Sequence, residues 1–447
     1  MNLMDPIQAV QKAILPEDKG AGKYAQIRPF PYPYKAALAI CNDLDGLATF
    51  SELKAVHDVL NGTGDTSCGP GLGLEVGDSV HFFSVHPQID DSVSYFEGLT
   101  NQPGASASAL RDGIKAGILD TLHTWGNYSQ KGGFFREHAQ WALEEMQKYG
   151  LSLSVWTNHG DRHNFQNLGR PDSLGDVRET ASARGDRSPA LEYHADLARR
   201  LGIRYVWIKE LTGIPGQERF LNWQDWLEEG SDLARFFARG IATHDPVGAT
   251  GRPLQLTNHL IRLRALRDGG SFYEMLRYGQ FARDGSDNLP ELLSMRFLRR
   301  LVESGGACLL YVHLGKGRPS PDAPFSKESY NSLARLAQWA RSGDIWVTTP
   351  SRLCRYIELR QRLKMNVYLS EGDMWLAGEF DPAGGFSEPE ISGLTFYLPE
   401  ISAGHKAPDE SRLDLSVAGN VLVQNPPDHT GQVSYSVPLE PLAYPWK

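Results

Sequence analysis

Four apolar runs along this chain end in short polar clusters. Ala36-Ala37-Leu38-Ala39-Ile40 leads into Asn42-Asp43-Leu44-Asp45-Gly46, and Ile118-Leu119-Asp120-Thr121-Leu122 leads into His123-Thr124-Trp125-Gly126-Asn127. Leu153-Ser154-Val155-Trp156 leads into Asn158-His159-Gly160-Asp161, and Cys308-Leu309-Leu310-Tyr311-Val312 leads into His313. Short, nearly continuous apolar runs read as strands buried on both faces. Strands are predicted at 36–42, 79–85, 117–122, 152–157, 204–209, 307–313 and 344–348. Amphipathic helices alternate with them. The segment Arg136 to Tyr149 places Ala139, Ala142, Leu143 and Met146 on one stripe, and Gly150 supplies the stop. His194 to Leu201 repeats the form, with Gly202 as its stop. The alternation predicts an α/β fold, a βα-type domain from residue 35 to about 360. In a parallel α/β barrel the carboxyl ends of the strands share the face where chemistry is done.

The flanking segments have other textures. Residues 1–34 read as a lead-in, with a helix from Pro6 to Ile14 and then Pro29, Pro31 and Pro33. Between 212 and 295 no strand is assigned; His259 to Leu266 is ambiguous, and 289–303 looks helical. From 363 to 447 short runs such as Val367-Tyr368-Leu369 and Leu394-Thr395-Phe396-Tyr397-Leu398 are separated by turn residues. They predict a small all-β domain of sandwich type.

The 447 residues suffice for one large domain and a smaller one, and 41% hydrophobic residues are enough for a sizeable core. A net charge of −9 argues against a nucleic-acid binder. The four cysteines form no Cys-x-x-Cys pair; Cys41, Cys308 and Cys354 lie in or beside apolar runs and read as reduced, buried thiols. No window approaches the roughly 18 apolar residues of a membrane span, and residues 1–20 carry no signal-peptide pattern. The expectation is a cytoplasmic protein without membrane or nucleic-acid partners; a homo-oligomer stays open.

The polar clusters carry the candidate chemistry. Asp43 and Asp45 are two apart, so along an extended strand both carboxylates face the same way. Two like charges that close cannot both stay ionised cheaply unless a cation or another positive group intervenes. A turn accounts for the same residues, since Asn, Asp and Gly favour turns. His123 is either a ligand or a hydrogen-bonded structural histidine, and Trp125 a sugar platform or core. The loop from Asn158 to Asn167 is dense in hydrogen-bonding groups that are costly to bury unsatisfied. His313 supplies a side chain that titrates near neutrality, and Lys316 and Arg318 follow it. The glycine-rich stretch 61–73 lacks the phosphate-loop ending and precedes a strand, so it reads as a loop. No Gly-x-Ser-x-Gly elbow occurs.

Taken together, residues 35–360 resemble the polysaccharide deacetylase family (carbohydrate esterase family 4) and its wider glycoside hydrolase/deacetylase barrel superfamily. Asn42-Asp43-Leu44-Asp45-Gly46 stands where the family has Thr-Phe-Asp-Asp, its acids split by a leucine. His123-Thr124-Trp125-Gly126-Asn127 stands where the family has His-Ser/Thr-x-x-His, with Asn for the second His. Leu310-Tyr311-Val312-His313 is similar to the late Leu-x-His motif, and Ile345 to Pro350 to the last strand. The resemblance implies a deformed (β/α) barrel over residues 35–362 and metal-assisted removal of an N- or O-acyl group from a carbohydrate. Asp45, His123 and Asn127 would hold a divalent metal, zinc first and nickel, cobalt or manganese next. Asp43 would be the base and His313 the acid. Trp125, Trp156, Asn158, His159, Asp161 and Lys209 would line the sugar site. Two other readings remain: a glycoside hydrolase-like enzyme using Asp43 and Asp45, or one of them with Asp161, and a non-catalytic glycan-binding module.

Overall fold

The computed structural model describes residues 24–84, 92–128, 133–159, 163–169, 182–208, 211–221, 225, 258–279, 283–370, 373–380, 391–398 and 422–446. The predicted helix at Pro6–Ile14 lies outside them. In chain order the first elements are β1 (Tyr24–Ile27), β2 (Ala36–Asn42), α1 (Phe50–Leu60), β3 (Asp65–Thr66), β4 (Gly69–Pro70), β5 (Asp78–Val80), α2 (Ala107–Lys115) and β6 (Leu119–Leu122). Next come α3 (Arg136–Lys148), β7 (Val155–Thr157), α4 (Ala195–Leu201), β8 (Tyr205–Trp207), β9 (Leu211–Thr212), β10 (Ile261–Ala265), β11 (Ser271–Met275) and β12 (Arg277–Tyr278). The chain continues with α5 (Leu289–Leu292), α6 (Met295–Ser304), β13 (Ala307–Val312), α7 (Lys327–Arg341), β14 (Ile345–Thr348) and α8 (Pro350–Arg362). It finishes with β15 (Leu363–Ser370), β16 (Asp373–Phe380), β17 (Thr395–Tyr397), β18 (Val423–Asn425) and β19 (Ser434–Ser436).

Two mainly parallel sheets form the α/β part, in the orders β14-β2-β13-β12-β9 and β10-β11-β8-β7-β6-β5. They meet at the Cys41–Gly77 bridge on one side. On the other, the chain passes between them from β8 to β9 and from β11 to β12. Among the described residues the hydrogen bonds do not close them into one barrel. The two faces of β2 and β13 pack differently. Leu38, Ile40, Cys308 and Leu310 join the helices, including Leu53 and Val56 of α1 and Leu298 and Leu301 of α6. Ala37, Ala39, Leu309 and Tyr311 pack instead on Val155, Tyr205, Trp207 and Tyr273 from the other sheet. The strands are therefore buried on both sides, as their continuous apolar character requires. Local signals start and stop the helices. Thr49 and Glu52 make a reciprocal cap at α1, and Gly202 and Gly305 end α4 and α6 in the left-handed conformation. The predicted helix 289–303 is broken at Leu293-Ser294, where Ser294 caps α6.

The C-terminal all-β region is one antiparallel sheet, β16-β15-β1-β17-β19-β18. The N-terminal lead-in contributes its third strand: Tyr24 pairs with Asn366 and Gln26 with Tyr397. No second sheet faces it among the described residues, so the sandwich reduces to a single layer there. The chain then returns to the α/β part. Trp446 packs edge-on against Phe50 and His57 and donates to the Ala109 carbonyl at 2.9 Å. All four cysteines are free, and Cys41, Cys308 and Cys354 are buried. No helix among the described residues is long and apolar enough to cross a membrane.

One buried histidine makes stability depend on pH. His194 stacks on Trp156 at 4.9 Å, and its Nε2 donates to the Gln166 carbonyl at 2.7 Å. Burial pushes its pKa down to about 4 from 6.5. Its contribution is complete above pH 6.5 and is lost as pH falls toward 4, because only the unfolded chain takes up the proton. Between pH 7 and pH 5 the wild type should lose about 2 kcal/mol more than His194→Phe in urea denaturation. Equal losses would reject the assignment.

Candidate metal centre

Parallel strands deliver their carboxyl ends to one face. Asp43 and Asp45 follow β2, His81 follows β5, His123 follows β6, His159 lies just past β7, and His313 follows β13. Asp45, His81 and His123 each offer a ligand atom within 4.8 Å of the other two, a cluster that could hold a metal ion. The His81 and His123 rings stack at 4.7 Å, and His159 stands edge-on to His123 at 4.2 Å. Asp45 Oδ1 lies 3.8 Å from His123 Nδ1 and 3.7 Å from His159 Nδ1.

The donor chemistry fits a cation. Both ring nitrogens of His81 and of His123 are buried without a hydrogen-bond partner. Leaving such groups unsatisfied is costly, and a metal ligand role accounts for one nitrogen of each ring. Burial, with His159 close by, pushes the His81 pKa down to about 3. Burial likewise holds His123 well below its usual range, with His159 and His81 adding to the effect. Both imidazoles are therefore neutral and carry a lone pair, the form that binds metals. Burial alone would raise the Asp45 carboxyl; the neighbouring His159 and His313 outweigh it and hold Asp45 well below the usual carboxylate range.

Two further acids are held by named partners. Arg277 is fully buried and grips Asp43, its Nη2 2.7 Å from Oδ1 and its Nη1 3.3 Å from Oδ2. The guanidinium also donates to the Cys41 carbonyl and lies against the rings of Trp207 and Tyr311. Asp43 Oδ2 faces the centre, 3.8 Å from His123 Nε2 and 4.0 Å from His313 Nε2. His313 presents Nδ1 to Asp284 at 3.0 Å and Nε2 to Asp45 Oδ2 at 3.4 Å. Burial works against its imidazolium, but the bonds to Asp284 and Asp45 outweigh it and lift its pKa to about 9.

A buried strut stands behind these groups. The Asn42 amide donates to Asp78 at 2.7 Å and accepts from the Leu314 backbone at 2.7 Å, tying the end of β2 to the loop that carries His313. His57 Nε2 lies 3.0 Å from the same Asp78 carboxylate, and Asp78 Oδ1 accepts from the Ser79 backbone. At Thr124 the backbone takes φ +54°, unusual for a β-branched residue. The Thr124 hydroxyl bonds to the His123 and Gly126 carbonyls and holds that turn.

The structure thus brings together Asp43, Asp45, His123, His159 and His313. It corrects the expected platform residues. Trp125 and Trp156 are fully buried; they pack on each other and on His194 and offer no ring face to a sugar. Asn158 is also buried, spanning Trp156 Nε1 and the backbone of Leu168. Asn127 is half-buried on the loop after His123, and the cluster of acid and histidine side chains takes in His81. Asp161 and Lys209 lie outside the described residues. Sequence reasoning missed His81, Arg277 and Asp284. His81 had a signal, a lone imidazole in the apolar run Val80-His81-Phe82-Phe83, and Arg277 had another, a cation ending Phe272 to Leu276. A comparison with known protein families finds no matching family model, and a comparison with curated proteins finds no match.

Proposed function

We propose that this chain is a metal-dependent hydrolase that removes an acyl group, N- or O-acetyl, from a carbohydrate, on a deformed barrel of the polysaccharide deacetylase type. The observation that carries the reading is the division of labour within Asp43-Leu44-Asp45: Asp45 belongs to the histidine cluster, while Asp43 is fixed beside it by Arg277. Asp45, His81 and His123 would hold the metal, and an imidazole–carboxylate set suits zinc, with nickel, cobalt and manganese as alternatives. A bound divalent ion polarises an acyl carbonyl and lowers the pKa of water.

The chain's own residues do the rest. The Asp43 carboxylate, kept oriented by Arg277, takes a proton from the attacking water as its oxygen bonds to the acyl carbon. His313, oriented by Asp284, donates its proton to the departing amine or hydroxyl as the acyl bond breaks. The products are a free acid and the deacylated sugar. A paired-carboxylate glycosidase needs one acid that stays protonated. Asp43 in an ion pair and Asp45 held well below the usual range both argue against it.

The test incubates zinc-loaded and metal-free protein with N- and O-acetylated sugars. Metal-dependent acetate release without new reducing ends is expected. Reducing ends without acetate would replace the reading with the glycosidase. Neither product from any substrate, with sugar still bound, would favour the glycan-binding module.

A further inference from the structure

The charge balance of the centre bears on what it binds. Asp43 faces Arg277, Asp45 faces Lys316 and Asp284 faces His313. Asp78, behind them, faces His57. Asp43, Asp45 and Asp284 are thus matched by Arg277, Lys316 and His313. A divalent ion adds two positive charges. Even with His313 neutral, these six side chains and the ion keep at least one net positive charge.

Lys316 is the cation of this group that meets solvent: its side chain is 45% exposed, against 0% for Arg277 and 6% for His313. Its Nζ lies 3.0 Å from Asp45 Oδ2, whereas His123 and His159 face the other oxygen, Oδ1. Asp45 can therefore ligate through Oδ1 while Lys316 stays beside it. The backbone that presents the ammonium is locked. The Lys316 carbonyl accepts from both the backbone and the hydroxyl of Ser286 at 2.8 Å. Arg318 clamps the loop through the Gly315 and Gly46 carbonyls. Gly46 and Gly315 meet so closely that a Cβ on Gly315 would lie 2.4 Å from the Asp45 carbonyl, and Gly46 adopts φ +85°. A rigid loop lowers the ordering cost of binding a ligand.

We propose that the metal-loaded site selects acylated sugars that carry an anionic group, a carboxylate or a phosphate, and that Lys316 binds that group. This rests on the hydrolase reading above and goes on to name its substrate class.

Calorimetric titration of the full chain tests it in two stages. Zinc is titrated first; then glucuronate, glucose 6-phosphate and glucose are titrated into the zinc-loaded protein. Both acidic sugars, or one of them, should bind at least about tenfold tighter than glucose, which is about 1.4 kcal/mol. Which acid wins identifies carboxylate or phosphate as the natural group. Lys316→Met should abolish the preference while keeping zinc, and Lys316→Arg should retain it. Equal binding of glucose and the acids to zinc-loaded protein overturns this inference alone. So does an acid preference that survives Lys316→Met or that needs no zinc. Absence of zinc binding in the wild type overturns the centre itself, and this inference with it.

Discussion

His81→Ala, His123→Ala and Asp45→Ala should each purify without metal from conditions in which the wild type carries about one equivalent. Changes in the outer shell of a metal site cost about 10–100-fold in metal affinity, and loss of a direct ligand costs more. Turnover of an acylated sugar should vanish with the metal. The comparison that discriminates is Asn127→Ala. The motif containing His123 points to Asn127 as the partner ligand, whereas the structure puts His81 in the cluster. Asn127→Ala should keep its metal and His81→Ala should not. Elemental mass spectrometry of the dialysed proteins reads the result directly. The reverse pattern would mean that the third ligand comes from the His123 loop instead of from the end of β5.

Arg277→Leu should be the most destabilising single change at the site. The guanidinium is fully buried against Asp43, Cys41, Trp207 and Tyr311. Removing it leaves a buried carboxylate without its counter-charge, which typically costs about 3–5 kcal/mol. Arg277→Lys should recover little, because an ammonium can neither grip both oxygens nor spread a planar group against both rings. The double variant Arg277→Leu/Asp43→Leu should regain much of the loss, since an apolar pair needs no charge balance. Urea denaturation of the metal-free proteins separates these outcomes. A single-variant cost under about 1 kcal/mol would show that Asp43 finds another partner.

The parts of the fold that sequence reveals are those with strong local signals. β2 and β13 sit centrally in a parallel sheet and are buried along their whole length, so their apolar runs are unbroken. β10 is an edge strand in which Arg262 and Arg264 alternate with Ile261, Leu263 and Ala265, a period of two too short to settle the ambiguous segment 259–266, and β9 and β12 are two residues long. Two residues leave no period to read. β1 is also hard to find, because its pairing partners lie far along the chain. The site divides the same way. Strand-end polarity exposes Asp43, Asp45, His123, His159 and His313. Arg277 meets Asp43 across 234 positions, a pairing no local pattern encodes. Trp125 misleads for a geometric reason: the left-handed turn at Thr124 redirects the chain, and the indole falls into the core instead of the mouth.

The way the two ends of the described chain are stitched in sets a timetable for biosynthesis. Tyr24 waits for Asn366 before β1 can pair, and Phe50 and His57 wait for Trp446. At about 5–20 residues per second, the first wait alone lasts roughly 20–70 s on the ribosome. During that interval β1 has no partner strand and the outer side of α1 is bare. A nascent chain in this state needs shelter from its neighbours, and a stall just before β15 leaves a protein whose α/β strands are made but whose first strand has nowhere to go.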